Sequence, residues 1–183
     1  RGKKAYFNNN MFNIDIRPKA YLQSLSPDVT PKPMVHLSIP KNYYGNNYYS
    51  VGKEGSKAVL KRIEEELKEI GINTNINNAI VNRIDVFKNI ICEEHLLSYK
   101  PIFEMIKIKK NKIKEREYGT TFQRGNKQRE LCIYNKITEM ENKNNKSKEG
   151  KIDLSQFDKN TIRFEYRILN RKTVKKQYEI DTI

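Results

Sequence analysis

Thr161-Ile-Arg-Phe-Glu-Tyr-Arg-Ile168 alternates strictly between apolar and charged residues, the period of a β-strand with one dry face and one polar face. Side chains alternate across a strand, so Ile162, Phe164, Tyr166 and Ile168 share one side and Arg163, Glu165 and Arg167 the other. Three further segments sort in the same way. In Arg129-Glu-Leu-Cys-Ile-Tyr-Asn-Lys136, Leu131 and Ile133 oppose Glu130, Cys132, Tyr134 and Lys136. In Ile80-Val-Asn-Arg-Ile-Asp-Val-Phe87, Ile84 and Val86 oppose Arg83 and Asp85, and in Val35-His-Leu-Ser-Ile39 the apolar residues oppose His36 and Ser38. If these strands join in one antiparallel sheet, their apolar sides pack on amphipathic helices as an α+β sandwich, and the other face gathers the polar groups.

Other elements follow from local signals. Gly119 to Tyr134 reads as a hairpin around the turn Gly125-Asn-Lys-Gln128. Ser56 is a candidate cap for a helix with Leu60, Ile63, Leu67 and Ile70 on one stripe and Gly71 as its left-handed stop. Residues 93–108 read as a second helix interrupted near Pro101, and the polar stretch 142–160 as a loop. Residues 1–33 read as an N-terminal arm with one candidate strand, and 34–183 as one domain. The first residue, Arg1, and a C-terminus without a clear cap suggest a domain excised from a longer chain.

With 183 residues and 37% hydrophobic content, the chain is long enough for one well-packed core and short for two. Two cysteines, Cys92 and Cys132, without CxxC spacing, argue against a disulfide framework and against zinc. No apolar run is long enough to cross a bilayer, and the N-terminus lacks the pattern of a signal peptide, so a soluble cytoplasmic protein is expected. The net charge of +14 attracts polyanions, nucleic acid foremost. Its excess lies in the C-terminal half, where Lys107, Lys109 and Lys110 are either phosphate contacts or a solvated basic loop.

The polar face suggests chemistry. Asp85 and Glu165 offer oxygen ligands suited to magnesium or manganese, with His36 as a candidate third ligand. Such a cation stabilises the charge that builds during in-line displacement at phosphorus. Tyr134 is the candidate nucleophile, because a phenol both attacks when assisted and leaves again readily. Lys136 shares its side and is a candidate for holding the phosphate, while Arg83, Arg163 and Arg167 can clamp phosphates or simply pair with the acids. Tyr44 and Tyr48, in the turn-rich segment Asn42-Tyr-Tyr-Gly-Asn-Asn-Tyr-Tyr49, can stack on unpaired bases or pack over a sheet edge. The competing description of the whole face is a solvated one in which each acid pairs with a neighbouring arginine.

In order along the chain, Leu37-Ser-Ile-Pro-Lys41 with Tyr44-Gly-Asn-Asn47, Arg83-Ile-Asp85, Tyr118-Gly-Thr-Thr121, Leu131-Cys-Ile-Tyr-Asn-Lys-Ile-Thr-Glu139 and Arg163-Phe-Glu-Tyr-Arg167 resemble the replication-initiator nickases of filamentous phages and related plasmids. The resemblance spans about residues 34–175. It implies kinship with the Rep_trans and, more distantly, HUH endonucleases, a ferredoxin-like antiparallel sheet with helices on one face and the active site on the other, and a divalent-metal site. It places the nucleophile of the Tyr-Asn-Lys-x-x-Glu segment on Tyr134 and the family's acids on Asp85 and Glu165. With only His36 and His95 present there is no His-hydrophobe-His pair, and the family pattern favours glutamate where His36 stands. Single-stranded origin or hairpin DNA, with a host helicase and polymerase, are the implied partners, in the cytoplasm of a bacterial host. A non-catalytic nucleic-acid-binding module, or a tyrosine nickase of transposition or conjugation, are the alternatives.

Overall fold

A computed structural model of the chain describes residues 5–8, 12–16, 34–106, 116–117, 121–146 and 151–178, with side chains for 34–106, 121–146 and 151–176. The chain forms two compact units, Arg1–Ile63 and Glu64–Ile183.

In the first unit β1 (Ala5–Asn8), β2 (Phe12–Ile16) and β3 (Met34–Leu37) form an antiparallel sheet in that order. The arm therefore contributes two strands where one was expected, and β3 stands in its own sheet, not in the common sheet that its alternation suggested. His36 faces Asn13 of β2 in the register. The strand stops because Ser38 turns the chain: its side chain accepts from the Lys41 amide at 3.4 Å and caps α1 (Ile39–Tyr44), whose first turn holds Pro40. Gly45 closes α1 at φ 75°.

The helix α2 (Lys53–Glu69) begins before Ser56, whose hydroxyl donates to the Gly52 carbonyl oxygen at 3.0 Å inside the first turn and is not the cap. Val59, Ile63 and Leu67 form its buried stripe, and Gly71 ends the segment at φ 85°, as its position predicts.

The second unit is α+β, with a five-stranded antiparallel sheet in the order β4-β8-β7-β6-β5 and helices against it, consistent with the ferredoxin-like class of architecture. The strands are β4 (Ile84–Ile91), β5 (Arg116–Glu117), β6 (Thr121–Gly125), β7 (Arg129–Asn135) and β8 (Thr161–Ile168). β8 has the limits its alternation predicts. β4 instead starts four residues later than Ile80 and extends to Ile91, because Ile90 and Ile91 continue the pairing with Ile162 and Thr161. The β6–β7 turn is locked by Asn126, whose Oδ1 accepts from the amides of Gln128 at 2.8 Å and Arg129 at 3.0 Å. Gly125 is required there, since a Cβ would collide with the Arg129 carbonyl oxygen.

Pro101 does not interrupt a helix. A 3-10 turn, Leu96–Tyr99, leads into α3 (Lys100–Met105), and Pro101 sits in the first turn of α3, where a missing N–H leaves no bond unmade. α4 (Lys136–Lys146) begins directly after β7 and carries helix into the stretch expected to be loop, and Asn144 then ties the chain back by accepting from the Ile152 amide at 3.1 Å. α5 (Arg171–Tyr178) follows β8. Among the described residues no helix is long and apolar enough to cross a membrane.

The apolar face of the sheet packs on the segment 96–103. Leu96, Phe103, Ile133 and Ile162 are buried together, and the Phe103 ring meets Phe122 and Phe164 edge-on at centroid distances of 5.4 and 5.9 Å. Phe103→Ala should lower unfolding free energy by about 3–5 kcal/mol, the usual cost of emptying an aromatic site. Urea unfolding of the variant checks this, and a loss well under 1 kcal/mol would mean that α3 is not a core element.

Candidate functional site

The pairing registers sort the other face of the second sheet into three cross-strand rows. Thr121, Tyr134, Arg163 and Asn89 form one row, Gln123, Cys132, Glu165 and Phe87 the next, and Gly125, Glu130, Arg167 and Asp85 the third. Tyr134 thus lies directly beside Arg163 and diagonal to Glu165, a distance that long side chains bridge.

The Tyr134 hydroxyl donates to Glu165 Oε2 at 2.7 Å. Arg163 also hydrogen-bonds Tyr134. The second Glu165 oxygen accepts from Arg167 Nε at 2.6 Å, and Arg167 Nη1 reaches Glu130 Oε2 at 3.1 Å. Arg163, only 2% exposed, donates from Nε to Asn89 Oδ1 at 2.8 Å, and its guanidinium carbon stands 3.8 Å above the Phe87 ring centroid. A buried guanidinium needs such partners, because an uncompensated charge there costs several kcal/mol.

α4 lies against β7 and β8 and adds a second set of charges. Lys136 is its first residue, not a strand residue, and is 0% exposed; its Nζ pairs with Glu139 Oε2 at 2.5 Å, and Glu139 also pairs with Lys143. The charges of Arg163 and Glu139 both act on Lys136.

These surroundings set the protonation states. Burial first, then the charge and hydrogen bond of Glu165, push the Tyr134 phenol well above its ordinary range, with Arg163 pulling the other way. The phenol is therefore neutral at rest and must surrender its proton when it reacts. For Glu165 burial works upward, but the hydrogen bonds from Tyr134 and Arg167 outweigh it and hold the carboxyl below its ordinary value. Burial raises the Cys132 thiol to about 12, which leaves it a poor nucleophile. Lys136 is lowered to about 8, by burial first and then by Arg163, against the opposing pull of Glu139.

The other sequence candidates are distributed as follows. Asp85 is on the polar face and receives both Arg83 Nε at 2.8 Å and Arg83 Nη2 at 2.6 Å. His36 belongs to the first unit. Among the described residues no three His, Cys, Asp or Glu side chains come together as metal ligands, and the oxygens of Asp85 and Glu165 already accept from arginine and tyrosine donors. This donor set, as arranged, does not fit a divalent cation. Lys107, Lys109 and Lys110 lie outside the described residues. In the first unit Tyr44 is 44% exposed and Tyr48 9%, and Tyr49 meets both rings edge-on at 5.5 and 5.1 Å. Phe87, Asn89 and the partnership of Lys136 with Glu139 are absent from the sequence reading. Alternation places Phe87 beside Asp85, but an aromatic residue in a strand is ordinarily read as core.

Lys136 binds its proton less tightly folded than at the ordinary lysine value of 10.5, so between about 8 and 10.5 the unfolded chain holds more protons and stability rises with pH. Urea unfolding at a series of pH values should show wild type gaining stability relative to Lys136→Met across that window. A difference that stays flat with pH would mean that Lys136 is not a buried cation.

A family model described as "Replication-associated protein G2P N-terminal" matches residues 13–182. No curated protein and no solved structure gives a match.

Proposed function

We propose that this chain, which belongs to the replication-associated protein G2P N-terminal family of phage replication proteins, is a rolling-circle replication initiator that nicks single-stranded origin DNA through Tyr134. The observation that carries the reading is a single oxygen. Tyr134 Oη is held at once by an ionised carboxylate, Glu165 at 2.7 Å, and by the cationic Arg163.

That arrangement suits attack on a phosphodiester. Oη bonds to phosphorus as the bond from phosphorus to the 3′ oxygen breaks, and the electron pair leaves on that oxygen, which takes a proton from water. The phenol proton passes toward Glu165, to which it already points. Arg163 offers positive charge where the phosphoryl oxygens gain negative charge. The products are a 5′-phosphotyrosine link and a free 3′-hydroxyl that primes synthesis. Arg167 keeps Glu165 ionised and turned to the phenol.

A magnesium or manganese requirement is implied by the family resemblance alone. Since Asp85 and Glu165 are engaged by arginine and tyrosine donors, no step above runs through an ion. Single-stranded DNA as partner accords with the +14 charge. Tyr44 presents its ring to solvent for base stacking, whereas Tyr48 is buried and supports the cluster. Arg83 is exposed enough to meet a phosphate, with Asp85 as its resting partner.

Incubation with single-stranded origin oligonucleotides should give a protein–DNA adduct that survives denaturing electrophoresis and is absent in Tyr134→Phe. An adduct that persists in Tyr134→Phe would remove Tyr134 from the reaction. Tyr44→Ala should weaken single-strand affinity by about 5- to 100-fold, the worth of one stacked base. Fluorescence anisotropy reads that change, and equal affinities would exclude Tyr44 from the DNA contact.

A further inference from the structure

β4 contributes more to the polar face than Asp85. Phe87 and Asn89 stand on the same side of that strand, Asn89 in register with Arg163 and Phe87 with Glu165. Both touch Arg163: Asn89 Oδ1 accepts from Nε at 2.8 Å, and the Phe87 ring lies under the guanidinium at 3.8 Å. A guanidinium is a rigid planar fork. Fixing its Nε direction with one hydrogen bond and its plane with one aromatic face fixes the whole group, whose charge acts on the Tyr134 phenol. Neither residue is placed to be a nucleophile, an acid or a base.

We propose that Asn89 and Phe87 are positioning residues for Arg163, holding its charge at the Tyr134 oxygen so that β4 governs attack on the phosphodiester without touching DNA. This rests on the reading of Tyr134 as nucleophile. Arg163 keeps its proton and its charge throughout, and the two β4 residues act only on where that charge stands. The strength of the effect follows from geometry, because small displacements of a catalytic group are costly when the group must meet a developing charge.

Two pairs of variants test the proposal. Asn89→Ala removes the acceptor and Asn89→Asp keeps one; Phe87→Leu removes the aromatic face and Phe87→Tyr keeps it. Single-turnover adduct formation at saturating oligonucleotide should slow by roughly 10- to 100-fold in Asn89→Ala, the cost typical of a misplaced catalytic group. In Phe87→Leu it should slow by roughly fivefold, the worth of one cation–π contact. Affinity for labelled single-stranded DNA should stay within about twofold of wild type, since neither residue contacts phosphate. Asn89→Asp and Phe87→Tyr should recover most of the rate. A second readout needs no activity: the Arg163 Nε–H should exchange slowly with solvent by nitrogen-edited NMR in wild type, and at least about tenfold faster in Asn89→Ala, as expected when a buried hydrogen bond is lost.

Wild-type rates in Asn89→Ala and Phe87→Leu would overturn the positioning role while leaving Tyr134 as nucleophile. If wild type forms no adduct, the nickase reading fails, and the exchange measurement still decides: an Nε–H equally protected in wild type and Asn89→Ala overturns the inference. Should Asn89→Ala not fold, the Phe87→Leu and Phe87→Tyr pair decides through the same two measurements.

Discussion

The register between β7 and β8 sets Tyr134 opposite Arg163, Cys132 opposite Glu165 and Glu130 opposite Arg167. A slip of one residue would turn every side chain of one strand to the other face. Two features oppose that slip. Ile133 and Ile162 are buried together with Leu96 and Phe103, so the apolar face tolerates only the observed alignment. The turn at Gly125 and Asn126 separately fixes β6 against β7. The polar site is thus a consequence of core packing on the far side of the same strands.

Charges drawn together in this way add little net stability to a fold. Removing an ion pair from water costs about as much as its attraction returns, and apolar residues of the same volume often serve a fold as well or better. Arg163 and Lys136 are nonetheless buried, each against a named partner, and Arg167 is shared between Glu165 and Glu130. The outcome is a set of shifted groups around one phenol: a carboxylate kept ionised, a lysine lowered to about 8, and a tyrosine whose proton is harder to remove than usual. Concentrating perturbed groups in one place is characteristic of functional sites.

Much of this was legible in the sequence wherever a local pattern was unbroken. Strict alternation over residues 161–168 located β8 and sorted its faces, and the glycines at 125 and 71 marked a turn and a helix end. Legibility failed where a local signal had two physical outcomes. The alternation of residues 35–39 is equally good for any sheet, and the partner of β3 came from an arm without periodicity. Pro101 breaks a helix in mid-course but starts one in its first turn. Lys136 extends the alternation of β7 by one step, yet helix begins there. Phe87 and Asn89 were hidden because an aromatic and an amide in a strand carry no chemical signature until a buried arginine lies against them.

By itself the sequence determined the α+β class, the antiparallel strands with one dry and one polar side, and the set of residues from which a site could be drawn, because strand periodicity and turn chemistry are local properties of the chain. Tertiary structure decided which of those residues meet. Tyr134, Glu165 and Arg163 converge, Arg83 closes on Asp85, and β3 with His36 pairs elsewhere. Strand order and register are set by long-range packing, whose free energy no short segment carries.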